Sequence, residues 1–175
     1  MSEQPALNIR QFLPTDIAPV HELFVNGLME FSGEAELEFR RYVNHSLKDD
    51  MADIPAQYLA SPRSNFWVAE SAGLVVGMVA IQPGEAAEEA ELRRMSVSPL
   101  VRRQGVGRRL LETAEDFCRD QGYRRICLSS VDLLAPALEM YLRFGYTTVK
   151  EEPYGDPPHR PIVVHHMAKD LDQVI

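Results

Sequence analysis

Only two cysteines occur in the 175 residues, Cys118 and Cys127, and they form no metal or redox spacing. One falls on the apolar side of a predicted helix and the other in an apolar strand. Both are expected to be buried free thiols, which fits a reducing compartment. Long apolar runs are also missing. The longest uncharged stretch, SAGLVVGMVAIQPG (71–84), is about 14 residues and holds three glycines. That is short for a membrane span and suits a buried strand. The opening MSEQPALNIRQF has no apolar signal core. These absences lead to the expectation of a soluble, cytoplasmic protein with no membrane partner. Basic residues are in deficit, 18 Lys and Arg against 26 Asp and Glu, for a net charge of −8. Phosphate backbones need a basic face, so general nucleic-acid binding is excluded. The acidity is compatible with an amine substrate, or serves solubility alone. Neither repeats nor low-complexity tracts occur.

What the chain does contain suits one domain spanning 1–175, since 45% of its residues are hydrophobic and the length supports a core. Residues 7–12 (LNIRQF) alternate like a strand. Thr15 and Asp16 offer a helix cap, and apolar residues from Ile17 to Phe31 recur at helical spacing. GEAELEFRRYVNHSLKDD (33–50) reads as a second helix, and DMADIPAQYL (50–59) as a short helix interrupted by Pro55. NFWVAES (65–71) and LVVGMVAIQP (74–83) flank Ala72-Gly73, a hairpin signal. After the loop GEAAEEA (84–90), ELRRMSV (91–97) is a third strand. Its apolar positions Leu92 and Met95 break parity, which predicts a β-bulge.

A helix over about 105–121 buries Val106, Leu110, Leu111, Ala114, Phe117 and Cys118, with Gly122 as a left-handed cap. RICLSS (125–130) is a strand. Pro136 opens a helix carrying Leu138, Tyr141 and Leu142, which Gly145 ends. YTTVKE (146–151) and PIVVHHMAKDL (161–171) are final strands. The order predicts an α/β fold, a mixed sheet with helices on both faces.

The segment RRQGVG (102–107) sets two glycines between arginine pairs at the start of a helix. Helix N-termini present unpaired N–H groups and positive dipole, and glycine lets backbone approach a ligand. With Arg102, Arg103, Arg108 and Arg109, this forms an anion cradle suited to a pyrophosphate. The plainer alternative is a capped helix with solvated arginines. GxGxxG is broken because position 110 is Leu, and no GK[ST] follows. Dinucleotide and nucleoside-triphosphate readings therefore lose.

R-x-x-G-x-G (102–107) after a strand, and ALEMYLRFGY (137–146) after the next, resemble the two signatures of the GNAT N-acyltransferase superfamily. FWVAES, VVGMV and ELRRMSV look like its camello-like N-acetyltransferases. Members of that group commonly carry an apolar membrane segment ahead of the catalytic domain. Here that region is the polar GEAELEFRRYVNHSLKDD, so membrane attachment is not carried over. The resemblance implies a GNAT-like fold with a mostly antiparallel sheet, an acetyl-CoA-binding core over about 65–170 and an acceptor side over about 7–60. It implies direct acetyl transfer from acetyl-CoA to the primary amine of a small molecule or amino-acid derivative, without a metal. Pyrophosphate binding would fall to Arg102, Arg103, Gln104, Gly105, Val106, Gly107 and Arg108. Pantetheine pairing would fall to the backbone of Met95, Ser96 and Val97, where donors would also polarise the thioester carbonyl.

Tyr141 matches the family's general acid, which would protonate the departing thiolate, or else it is a packed helix aromatic. Glu91 is the candidate base for the ammonium, or one more charge of the acidic loop. Of His165 and His166 on the last strand, one points toward the substrate cleft, or both are ordinary surface or core histidines. Asp132 stands where many relatives place a cofactor-contacting Asn; helix capping would keep it off the phosphates. The acceptor pocket is expected from 24–60 and 151–161, where Arg160 or His159 would meet a substrate carboxylate or stay solvated. Protein lysine or N-terminal acetylation is the alternative activity, and a non-catalytic CoA-binding module the alternative class. The expected partners are acetyl-CoA and an amine, with a homodimer left open.

Overall fold

Strand alternation and two helical faces set the architecture. The structure, a computed structural model, describes residues 3–155 and 162–172. The chain runs β1 (Leu7–Gln11), α1 (Ile17–Met29), α2 (Glu36–Lys48), β2 (Asn65–Ser71), β3 (Leu74–Pro83) and β4 (Glu89–Val97). It continues through α3 (Val106–Asp120), β5 (Arg125–Val131), α4 (Ala135–Arg143), β6 (Thr147–Tyr154) and β7 (Ile162–Asp170). The strands form one sheet in the order β1-β2-β3-β4-β5-β7-β6. Every pairing is antiparallel except β4 with β5.

Period two along β2 splits the core. Trp67 and Ala69 join Leu110, Leu111 and Ala114 of α3 on one face. Phe66 and Val68 join Val20 and Phe24 of α1 and Val43 of α2 on the other. Both faces are therefore covered and the central strands are apolar on each side. Ala72 (φ 51°) and Gly73 (φ 76°) are both left-handed, as a two-residue hairpin with the strands' own twist requires.

The predicted bulge is present. Met78 pairs Ser96 while Ala80 pairs Arg93, so β4 uses one residue more than β3 between them, and Arg94 takes φ 58°. Parallel pairing of β4 and β5 covers Glu89↔Arg125, Ala90↔Ile126 and Glu91↔Cys127, then stops. Beyond that point the two strands part.

Several local expectations change. Pro55 begins a helical turn, Pro55–Leu59, instead of interrupting one, because its missing N–H is no loss in a first turn. Asp16 does not cap α1: its carboxylate accepts from the Leu13 N–H at 2.7 Å and from Arg10 at 2.8 and 3.0 Å. Leu142 is 56% exposed, and β4 begins two residues earlier than expected, at Glu89. Pro153 lies in β6, an edge strand, where a lost donor costs little.

Behind the sheet, Glu115 of α3 is buried, accepting from the Tyr146 hydroxyl at 3.1 Å and from Lys169 Nζ at 3.0 Å on both oxygens. No helix among the described residues is long and apolar enough to cross a membrane.

Candidate active site

A cleft of about 1320 Å³ opens where β4 and β5 part, bounded by α1, α2, the segment before α3, and α4. Typical single-ligand pockets hold about 300–1,000 Å³, so this cleft is larger than one such pocket. Of the twelve residues expected at the site, eleven line this cleft and Gln104 does not. Residues about 50 positions apart, Glu91 and Tyr141, thus share one cavity.

The end of the cleft expected to meet an anion is built by backbone. Arg103 (φ 63°) and Gly105 (φ 75°) are left-handed and turn the chain into α3, whose first turn, Val106 to Arg108, lines the cleft and has no side-chain cap. Nothing lies within 4 Å of a Cβ added to Gly105, so conformation and not space calls for glycine there. Gly107 differs: an added Cβ would stand 2.8 Å from Met140 Sδ, so its absence lets α4 approach α3. The arginine side chains are partly committed. Arg108 is paired with Glu112 at 2.8 Å. Arg102 donates to both oxygens of Glu30, at 2.6 Å from Nη1 to Oε1, and lies over Phe31. That hydrogen bond to Arg102 lowers the Glu30 carboxyl.

Tyr141 is buried on α4, with its ring edge-to-face against Tyr146 at 5.8 Å. Its hydroxyl makes no hydrogen bond among the described residues. No buried side-chain polar atom there lacks a partner, so this hydroxyl opens into the cleft. Burial raises its pKa well above the ordinary phenol value, which keeps the proton on. On β4, Ala90 and Leu92 join the α3 core, so Glu91 and Arg93 face the α1 and α2 side. Glu91 accepts from Gln82 Nε2 at 3.0 Å and stands 3.6 Å from Arg93 Nε.

The bulge residue Arg94 is the unexpected element. Its side chain is 3% exposed and forks onto Asp50, itself 2% exposed, at 2.9 and 2.6 Å. Nη1 donates to the Tyr42 hydroxyl at 2.8 Å, and Tyr58 donates to Asp50. Arg93 Nη1 is 3.6 Å from the same carboxylate. The parity break at Arg94 was a visible signal for the site, but nothing local pointed to Asp50.

Other candidates are placed elsewhere. His166 is bonded to Ser129 at 3.0 Å and Glu152 at 2.5 Å, and His165 Nδ1 is 3.4 Å from Glu151; neither lines the cleft. Asp132 does not cap α4. It accepts from the Val163 N–H at 2.9 Å, tying the end of β5 to β7. His159 and Arg160 lie outside the described residues. Among the described residues no cluster of His, Cys, Asp or Glu could hold a metal ion.

A profile of the Acetyltransferase (GNAT) family matches residues 31–146. N-acetyltransferase family 8 member 3 of Rattus norvegicus is 38% identical over 121 residues, covering 67% of this chain and 53% of the relative. Probable N-acetyltransferase camello of Xenopus tropicalis is 36% identical over 116 residues, covering 66% and 53%. The chain thus spans about half the length of these curated relatives. Among solved structures, a GNAT-family acetyltransferase from Staphylococcus aureus Mu50 superposes with TM-score 0.76 at 20% identity, covering 95% of this chain and all of that one. The PaiA N-acetyltransferase of Thermoplasma acidophilum, solved in complex with coenzyme A, gives 0.73 at 16% identity, covering 94% and 99%. At these identities the likeness is one of fold.

Proposed function

The chain belongs to the GNAT acetyltransferase family, and on that premise we propose that it transfers an acetyl group from acetyl-CoA to the primary amine of a small molecule or amino-acid derivative. The observation that carries this reading is the parting of β4 and β5 beside the glycine turn that opens α3, with Tyr141 in the same cleft. The left-handed turn at Arg103 and Gly105 suits a diphosphate, whose oxygens would meet the N–H groups of residues 103–108. Freed edge groups at Met95, Ser96 and Val97 suit the amides of a pantetheine arm. Backbone donors there also suit the thioester oxygen, where negative charge develops.

Two side chains then move protons. Glu91 takes one from the incoming ammonium, directly or through water, so that the nitrogen lone pair can form the new C–N bond. Tyr141 gives one to the sulfur as the C–S bond breaks, and the second proton of the attacking nitrogen passes to the resulting phenolate, directly or through water, leaving a neutral amide and free CoA. Positioning both reactants in one cleft supplies much of the rate.

The test is release of CoA thiol from acetyl-CoA across a panel of amines, amino acids and peptides, beside calorimetric titration with CoA. Release with small amines or amino-acid derivatives supports the reading. Release with peptides alone moves the acceptor to protein amines. Binding without release for any acceptor replaces catalysis with a CoA-binding module.

A further inference from the structure

The bulge in β4 is held from outside the cleft: Asp50, the partner of Arg94, is not among the residues that line it. A flat strand would send Arg93 and Arg94 to opposite faces. Here both guanidinium groups reach one carboxylate, Asp50, on the α1 and α2 side. That convergence requires the extra residue of the bulge and the left-handed backbone of Arg94, at φ 58°. For a non-glycine residue such a backbone is disfavoured roughly five- to thirtyfold. Something must hold it, and the buried fork from Arg94 to Asp50 is placed to do so.

The anchor itself is fixed. Asp50 lies in the turn after α2 and accepts from Tyr58, a fully buried side chain. Its neighbour Met51 is fully buried, and the Met51 carbonyl lies 2.6 Å from His21 Nε2 of α1. The Arg94 guanidinium is further flanked by the rings of Phe24 and Tyr42, at 5.1 and 5.5 Å. Immediately downstream come Met95, Ser96 and Val97, the backbone offered to the cofactor arm.

We propose that Asp50, through Arg94, is a positioning residue that holds the β4 bulge in the conformation on which the pantetheine arm docks. The inference rests on the acetyl-CoA reading above. It makes the acceptor-side segment after α2 a determinant of cofactor affinity.

Glycine adopts a left-handed backbone freely and alanine does not, which separates a backbone role from a side-chain one. Two double variants both lose the ion pair without burying a lone carboxylate: Asp50→Asn with Arg94→Gly, and Asp50→Asn with Arg94→Ala. Calorimetry with CoA alone is the readout, with thermal unfolding as the control for folding. The glycine variant is expected to bind within about threefold of the native chain. The alanine variant is expected to bind about five- to thirtyfold more weakly. Equal affinity in the two variants, whether lost or retained, overturns the inference while native binding upholds the acetyl-CoA reading. No binding by the native chain overturns both. Should either double variant fail to fold, Arg94→Lys keeps the charge but not the fork. Weaker CoA binding by that folded variant supports the inference, and native affinity overturns it.

Discussion

Arg102 and Glu30, 72 residues apart, close on one another through two parallel hydrogen bonds, joining the turn before α3 to the end of α1. Arg102 lines the cleft, and the two side chains are 38% and 37% exposed. A cation expected to meet phosphate is therefore shared with a carboxylate. Exposed pairs contribute at most about 1 kcal/mol. Glu30→Gln is expected to tighten CoA binding by up to about fivefold at low salt. The gain should vanish near 1 M salt, where screening reaches about 3 Å. Isothermal titration at two ionic strengths checks this; weaker binding at low salt would instead make Glu30 a support for Arg102.

Tyr141→Phe removes one hydroxyl and leaves the ring contact with Tyr146 in place. If that hydroxyl supplies the thiolate's proton, kcat should fall by about 10²–10⁴-fold while CoA affinity stays within twofold. Steady-state kinetics and titration on the same preparation separate the two effects.

Asp50 links stability to pH. Burial alone would raise its carboxyl, but the bonds from Arg94 and Tyr58 outweigh it and hold the group below the ordinary carboxylate range. A depressed folded value means stabilisation that is complete above the unfolded value, about 3.9, and lost as pH falls through the folded one. Urea unfolding should show the native chain weakening below about pH 4. Asp50→Asn should be less stable at neutral pH by about 3–5 kcal/mol, with a shallower acid limb.

Both thiols should resist alkylation. Cys118 is buried as expected, whereas Cys127 is only half-buried; in both, burial first, then neighbouring Glu115 or Glu89, pushes the thiol up to about 12. At pH 8 the thiolate fraction is then about 10⁻⁴. Iodoacetamide should leave the native chain unmodified over an hour and label both positions in urea, as mass spectrometry would show. The same property keeps the background low in a thiol-release assay.

Local rules were readable wherever the cause was local. The hairpin at Ala72-Gly73, the parity break between Leu92 and Met95, and the left-handed Gly122 each follow from a few adjacent residues. Capping rules failed at Asp16, whose carboxylate is taken by Arg10 and the Leu13 N–H on its N-terminal side, and at Asp132, which is taken by the distant Val163 N–H. Insertion of β7 between β5 and β6 left no mark in either strand's alternation. At the cleft, the motifs RRQGVG and ALEMYLRFGY identified residues that line one cavity. Asp50 and Glu30 were out of reach, since each is defined by a partner 44 or 72 positions away. Gly107 looked like a ligand-facing glycine, yet its missing Cβ makes room for Met140.

The buried junction of Glu115 with Tyr146 and Lys169 pins the chain just past α4 to the middle of α3. Two ends of a long ligand, one at the turn before α3 and one beside Tyr141, would then be gauged by a rigid caliper.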